Sequence, residues 1–170
     1  MALVAKRLKA KDKVITNLRT LAGTIEGLRS QGKAVVLTNG CFDLLHLGHV
    51  RCLEDAKSRG DFLIVALNDD RAVTKLKGKG FPVNTVADRM ETVAGLASVD
   101  YVTCFEEETA DSLLKKLQPT IYAKGTDYTE RTVPERATAK GLGAKIIICG
   151  DKKQRSTTKT VQRIRKRKFD

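Results

Sequence analysis

Five short apolar runs recur along the chain, with polar and helically spaced stretches between them. Residues 34–37, 62–67, 101–105, 121–123 and 145–149 are brief and rich in Val, Ile and aromatic side chains, and each is predicted as a buried strand. Between them, apolar residues three and four apart predict amphipathic helices. Ile15, Leu18, Leu21, Ile25 and Leu28 trace the first of these over 13–31, with Gly32 as its stop. The same spacing predicts helices over 50–58, 88–97, 109–117, 133–141 and 157–168. Asn68-Asp69-Asp70 supplies capping side chains after the second strand. Residues 75–80 read as a basic, glycine-spaced loop.

Strands alternating with helices predict a parallel sheet covered on both faces. The expected class is α/β, a Rossmann-like three-layer α/β/α architecture with a five-stranded parallel sheet. It is expected to form a single domain over residues 1–170, with an N-terminal packing helix at 13–32 and a basic C-terminal helix or tail at 159–170. Ligands of such sheets bind beyond the carboxyl ends of the strands, where the strand order reverses. The chemically interesting residues fall at those ends: His46 and His49 after the first strand, Asn68 and Asp70 after the second, 124–128 after the fourth and 156–158 after the fifth.

Composition narrows the class further. At 170 residues and 41% hydrophobic, the chain can bury one sizeable core. No apolar stretch approaches a membrane span and the first residues lack a secretory core, so a cytoplasmic location is expected. Cys41, Cys52, Cys104 and Cys149 show no Cys-x-x-Cys spacing, which fits reduced structural thiols. The net charge of +12 asks for an anionic partner. Much of it sits at the ends, in Lys6, Arg7, Lys9, Lys11 and Lys13 and in Arg163, Arg165, Lys166, Arg167 and Lys168. With no aromatic platform among these charges, they read as a solvated terminal face, and neither nucleic acid nor membrane is the expected partner.

The candidate chemistry is concentrated in Thr38-Asn39-Gly40-Cys41-Phe42-Asp43-Leu44-Leu45-His46-Leu47-Gly48-His49. Both histidines of the chain lie here, three apart on an opening helical turn, and therefore share a face. Free backbone amides at a helix start attract anions, and Gly48 lets a phosphate approach the backbone. A zinc site would need third and fourth ligands at a usual spacing. Cys41 as a nucleophile would need a base and an orienting group; a thiol on an apolar strand end is more often a small packed residue.

This segment resembles the His-x-Gly-His signature of the cytidylyltransferase-like nucleotidyltransferases. The similarity continues in order through Val65-Ala66-Leu67-Asn68-Asp69-Asp70, Leu76-Lys77-Gly78, Pro82-Val83-Asn84, Asp88-Arg89-Met90, Val99-Asp100, Lys124-Gly125-Thr126-Asp127-Tyr128 and Ser156-Thr157-Thr158. From about residue 13 to 164 the set is similar to the adenylyltransferase part of bacterial ADP-heptose synthase.

The resemblance implies transfer of AMP from ATP to a sugar 1-phosphate, heptose 1-phosphate, giving ADP-heptose and pyrophosphate. It implies catalytic roles for His46, His49 and Lys77. Nucleotide contacts fall to Asn39, Gly40, Cys41, Phe42, Gly48, Asn68, Lys124, Gly125, Asp127, Ser156, Thr157 and Thr158, and substrate contacts to Asp43, Asp70, Lys75, Arg89 and Tyr128. Magnesium is expected with ATP, and Asp43 is the nearest acidic candidate to hold it, a structural hydrogen bond being its other reading. Plainer readings stand beside several others: exposed lysines for Lys75 and Lys77, a turn for 124–128, and a helix N-cap for Ser156-Thr157-Thr158. A homodimer or higher homo-oligomer and a separate upstream sugar kinase are expected. Phe81, Thr126 and Gln154-Arg155 depart from the heptose pattern, which carries Arg, a second Gly and a glycine-containing approach there. The competing activities are a cytidylyltransferase acting on glycerol 3-phosphate with CTP, and a nucleic-acid-binding module on the same fold.

Overall fold

The computed structural model describes residues 9–151 and 157–166. Strands β1 (Val35–Gly40), β2 (Phe62–Asn68), β3 (Tyr101–Phe105), β4 (Ile121–Gly125) and β5 (Lys145–Cys149) alternate with helices α1 (Leu18–Ser30), α2 (Leu47–Ser58), α3 (Asp70–Lys77), α4 (Val86–Ala94), α5 (Asp111–Leu117), α6 (Arg136–Gly141) and α7 (Thr157–Lys166). The five strands form one sheet in the order β3-β2-β1-β4-β5, parallel throughout. This is the expected Rossmann-like α/β fold.

The apolar runs are nearly continuous because the sheet is covered on both faces. Successive side chains of β1 alternate between the two. Val35 and Leu37 pack on one face with Leu21 and Ile25 of α1 and Leu113, Leu114 and Leu117 of α5. Val36 packs on the other with Leu53 and Ala56 of α2 and Val93 and Ala94 of α4. From β1 the chain winds outward first through β2 and β3, then through β4 and β5. The loops leaving β1 and β4 therefore diverge, and a cleft opens between them.

Two elements differ from the sequence-based expectation. The first helix begins at Leu18, because Asn17 Oδ1 accepts from the amides of Arg19 and Thr20 at 3.0 and 3.1 Å and caps it there. The preceding residues form a 3-10 turn at Ala10–Lys13 and then run beside β3, where Val14 bridges Val102 and the Ile15 amide donates to the Val102 carbonyl at 2.8 Å. This segment covers the edge of β3 that would otherwise expose unpaired backbone groups. Lys13 is buried against it, its amine donating to the carbonyls of Val99 at 2.6 Å and Leu96 at 3.2 Å.

The predicted loop at 75–80 is the second difference. Asp69 Oδ1 accepts from the Ala72 amide at 2.7 Å and starts α3, which continues through Lys75 and Lys77 to Gly78, a left-handed stop with φ of +91°. The remaining boundaries move by a few residues. The most useful shift lengthens β1 to Gly40 and β4 to Gly125, which makes Asn39 and Lys124 strand residues. Ser156, Gln154, Arg155, Lys6, Arg7, Arg167 and Lys168 lie outside the described residues.

Candidate active site

A chain of contacts orients the two imidazoles. Gly40 ends β1 without a side chain, and a Cβ there would stand 3.1 Å from the ring of Phe42. Phe42 can therefore fold back, at a positive φ of 42° that a non-glycine residue adopts at some cost. Its buried ring sits 5.3 Å from that of His49, tilted by 54°. His49 in turn stacks on His46, with centroids 3.8 Å apart and planes within 13°. His46 is the N-cap of α2 in extended backbone, and its carbonyl accepts from the His49 amide at 2.8 Å. Gly48 makes room for its ring, since a Cβ there would lie 3.1 Å from Cε1 and Nδ1 of His46. The first amides of α2, at Leu47 and Gly48, point out of the helix start beside this pair, as an anion site requires.

The imidazoles border a cleft of about 820 Å³, a size suited to a small-molecule ligand. Its β4 side is built on Lys124. That ammonium is 4.9 Å from the centre of the Tyr128 ring and donates to Asn39 Oδ1 at 3.1 Å and to the Tyr122 hydroxyl at 3.4 Å. Glu135 Oε2 faces it at 3.4 Å, and the Tyr122 hydroxyl donates to Asn39 Oδ1 at 2.6 Å. Burial pulls the lysine below its ordinary pKa, while the Glu135 carboxylate pushes it back up. Burial, with the Glu135 charge added, drives the Tyr122 phenol up. Also lining the cleft, the thiols of Cys52 and Cys149 are raised chiefly by burial to about 11 and about 12, so both stay protonated near neutrality.

Helix α7 closes the end of the cleft. Thr157 is buried and its hydroxyl donates to the Leu44 carbonyl at 3.1 Å, which ties α7 to the loop that carries His46. Thr158 lines the same end. Arg51 of α2 pairs with Asp151, and Thr126 donates to the Asp151 carbonyl at 2.8 Å, linking the loops after β4 and β5.

The cleft brings together His46, His49, Lys77, Asn39, Gly40, Cys41, Phe42, Gly48, Asn68, Lys124, Gly125, Asp127, Tyr128, Thr157 and Thr158. The other four described candidates do not line it. Asp43 is buried, with both carboxylate oxygens accepting the Val83 amide at 3.0 and 2.8 Å and Oδ1 also accepting the Asn84 amide at 3.0 Å. These hydrogen bonds brace the loop before α4. Arg89 has a fully buried side chain that donates to the carbonyls of Cys41, Asn68 at 3.0 Å and Asn84 at 3.1 Å, and pairs with Asp70 at 2.7 Å. Arg89 and Asp70 thus knit the ends of β1 and β2 to the loop before α4. Lys75 is exposed on the last turn of α3 and pairs with Glu108 at 3.5 Å.

Cys41 is half-buried, and burial raises its thiol against the opposing pull of Lys77 and Arg89, as suits a packed residue. Glu135 and Tyr122 join the site without being among the residues that the sequence singles out. A signal for Glu135 existed: a lysine ending an otherwise apolar strand, Ile121-Tyr122-Ala123-Lys124, needs a buried carboxylate from elsewhere.

A parallel sheet whose order reverses beside a helix N-terminus, a stacked imidazole pair and a buried lysine defines an α/β protein built to handle nucleotides. The chain belongs to the cytidylyltransferase-like family, whose model matches residues 37–168, and is a nucleotidyltransferase. It is 42% identical over 162 residues to the bifunctional protein HldE of Pseudomonas aeruginosa, a match covering 95% of this chain and 34% of HldE. HldE of Azotobacter vinelandii is 42% identical over 161 residues, again with 95% and 34% covered. The chain thus spans about a third of the length of these curated relatives. Among solved structures, a lipopolysaccharide core biosynthesis protein from Thermoplasma volcanium superposes with a TM-score of 0.62 at 27% identity, covering 72% of this chain and 100% of that one. A pantoate-beta-alanine ligase from Francisella tularensis shares the fold, with a TM-score of 0.60 at 18% identity over 83% of this chain and 67% of that one. Among the described residues no helix is long and apolar enough to cross a membrane.

Proposed function

We propose that this chain transfers AMP from ATP to a sugar 1-phosphate, heptose 1-phosphate in the first instance, and releases pyrophosphate. The observation that carries the reading is the stacked His46 and His49 pair at the N-terminus of α2, on the reversal point of the sheet. A phosphate oxygen of the acceptor attacks the α-phosphorus of ATP, and the bond to the β-phosphate breaks. Because the nucleophile is already an anion, no strong base is required. The demand is to bring two repelling anions together in line and to stabilise the charge that gathers on the α-phosphate and the leaving pyrophosphate. Preformed donors from His46, His49, Lys77 and the first amides of α2 answer that demand.

Magnesium bound to the triphosphate would neutralise phosphate charge. Mg²⁺ needs only one or two protein carboxylates beside the substrate's own oxygens, and Asp127 lines the cleft. Among the described residues no group of three or more potential ligands is assembled for a resident metal. The choice of a heptose acceptor is supported by the identity to HldE over nearly the whole chain and by the ordered motifs.

Cytidylyl transfer from CTP to glycerol 3-phosphate is the alternative, favoured by the description of the family itself. Pyrophosphate release measured with ATP and CTP against heptose 1-phosphate, other sugar 1-phosphates and glycerol 3-phosphate decides between them. Turnover with ATP and heptose 1-phosphate is expected. Efficient turnover of CTP with glycerol 3-phosphate, and none of the first pair, overturns the reading.

A further inference from the structure

We propose that Glu135 is a positioning residue for the nucleotide site: its carboxylate holds the buried Lys124 ammonium at the floor of the cleft, where the lysine meets a phosphate of a bound nucleoside triphosphate. The proposal rests on the reading that this cleft takes such a ligand.

Both side chains are almost fully enclosed, Lys124 at 7% and Glu135 at 3% exposure, yet both line the cleft. Glu135 is fixed from behind, its Oε1 accepting the Ala110 amide at 3.1 Å just before α5, which leaves Oε2 for Lys124 at 3.4 Å. Among the described residues, the other groups around the ammonium are neutral: Asn39 from β1, Tyr122 from β4 and Tyr128 from the loop after β4. Asp111 of α5 acts on this cluster electrostatically through Tyr122. One carboxylate therefore does most of the work of keeping a dehydrated lysine charged. As a structural device this would be a poor choice, because a buried ion pair is a weak stabiliser compared with apolar packing. As a phosphate contact it is a good one, since a charged, preoriented lysine needs no proton uptake when the anion arrives.

The sign of the effect follows. Burial lowers the lysine's pKa and Glu135 opposes that fall. Without the carboxylate, the free protein holds a neutral lysine at a lower pH, and triphosphate binding must then draw a proton from solution. Affinity in Glu135→Gln should fall about tenfold per pH unit above the lowered pKa. The variant keeps an oxygen for the Ala110 amide.

The test is ATP binding by isothermal calorimetry from pH 7.5 to 10, above the range in which histidine titrates, for the wild-type chain and folded variants. The alkaline loss of affinity is expected to begin at least about one pH unit lower in Glu135→Gln than in wild type. Glu135→Asp, which keeps the charge, should follow the wild-type profile, and Lys124→Met should show no alkaline step. A uniform loss in Glu135→Gln at every pH, or an alkaline step that persists in Lys124→Met, overturns the proposal. Should Glu135→Gln not fold, the other two variants decide it: a Glu135→Asp onset displaced from wild type overturns the assignment. If wild type binds CTP instead, the same series runs with CTP and only the ATP reading is lost. If wild type binds neither nucleotide, the functional reading and this one fall together.

Discussion

The imidazole pair illustrates how little freedom a reactive side chain has once its neighbours are set. Gly40 and Gly48 each lack a Cβ that would press on a ring, Phe42 accepts a positive φ, and the two histidines are left stacked at a helix N-terminus. If both imidazoles donate to charge that develops in the transition state, removing either should lower kcat by roughly two to three orders of magnitude, the range for a lost preorganised donor. His46→Ala and His49→Ala are therefore expected to remain folded by circular dichroism while pyrophosphate release falls by that amount. Near-normal turnover in either folded variant would remove it from the mechanism. The histidines were legible in the sequence because only two exist and both sit where a strand becomes a helix. Arg89 and Asp43 were legible as important but not in kind. A substrate-binding arginine and one that gathers the carbonyls of Cys41, Asn68 and Asn84 have the same local sequence, and only the convergence of distant loops tells them apart. Lys124 at the end of an apolar strand signals that a buried carboxylate is needed, but which one stays hidden for the same reason, since Glu135 is supplied by another element.

Elements were legible where an apolar period is long or a strand is buried on both faces, and β3 and β5 fall where expected. The segment before α1 was not, because Ile15 fits the helical spacing of Leu18 and Leu21 while its amide is claimed by Val102 of the edge strand. Asn17 marked the true start. Gly78 and Gly80 give Lys75 and Lys77 the look of loop residues, although the Asp69 cap favours a helix there. The joint between β5 and α2 carries a testable constraint of this kind. Gly150 follows β5 at a φ of +88°, and a Cβ there would lie 3.0 Å from Cβ and 3.1 Å from Cα of Cys52 on α2. Its amide also donates to Asp55 Oδ2 at 2.9 Å. Gly150→Ala must both strain the backbone and push the strand end away from helix backbone, which cannot rotate aside. A loss of roughly 2 to 4 kcal/mol is expected, seen as a lower urea midpoint with an unchanged m-value. A midpoint equal to that of wild type would mean that the joint is looser than its contacts indicate.

At the scale of the whole molecule, the alternation of strands and helices implied the parallel sheet, and the sheet implied where ligands bind; the crossing order that brings β4 beside β1 had to come from the structure. Stability is distributed over both faces of that sheet, and two carboxylates make the distribution measurable. On one face Asp55 of α2 accepts from the Gly150 amide and from Arg59 at 3.0 Å, and the backbone hydrogen bond chiefly holds its pKa below the ordinary carboxylate value. On the other face Asp111 of α5 accepts from Thr138 of α6 and from Thr109 at 2.8 Å, and the Thr138 hydroxyl chiefly lowers it. A carboxylate with a folded pKa below its unfolded value of about 3.9 binds protons more readily in the unfolded chain. Each group therefore contributes its full stabilisation above about pH 4 and loses it as the pH falls through the lower folded pKa. Urea midpoints should consequently be level with respect to these two groups between about pH 5 and 7 and fall below about pH 4. Asp55→Asn and Asp111→Asn should each be less stable than wild type at neutral pH and should each show a shallower acid loss. Because α2 and α5 pack on opposite faces without shared partners, the two losses should add in the double variant, within a few tenths of a kcal/mol. Single variants as acid-sensitive as wild type would show that other groups govern the acid transition. A double variant that departs strongly from the sum would show that the two faces of the sheet are energetically coupled.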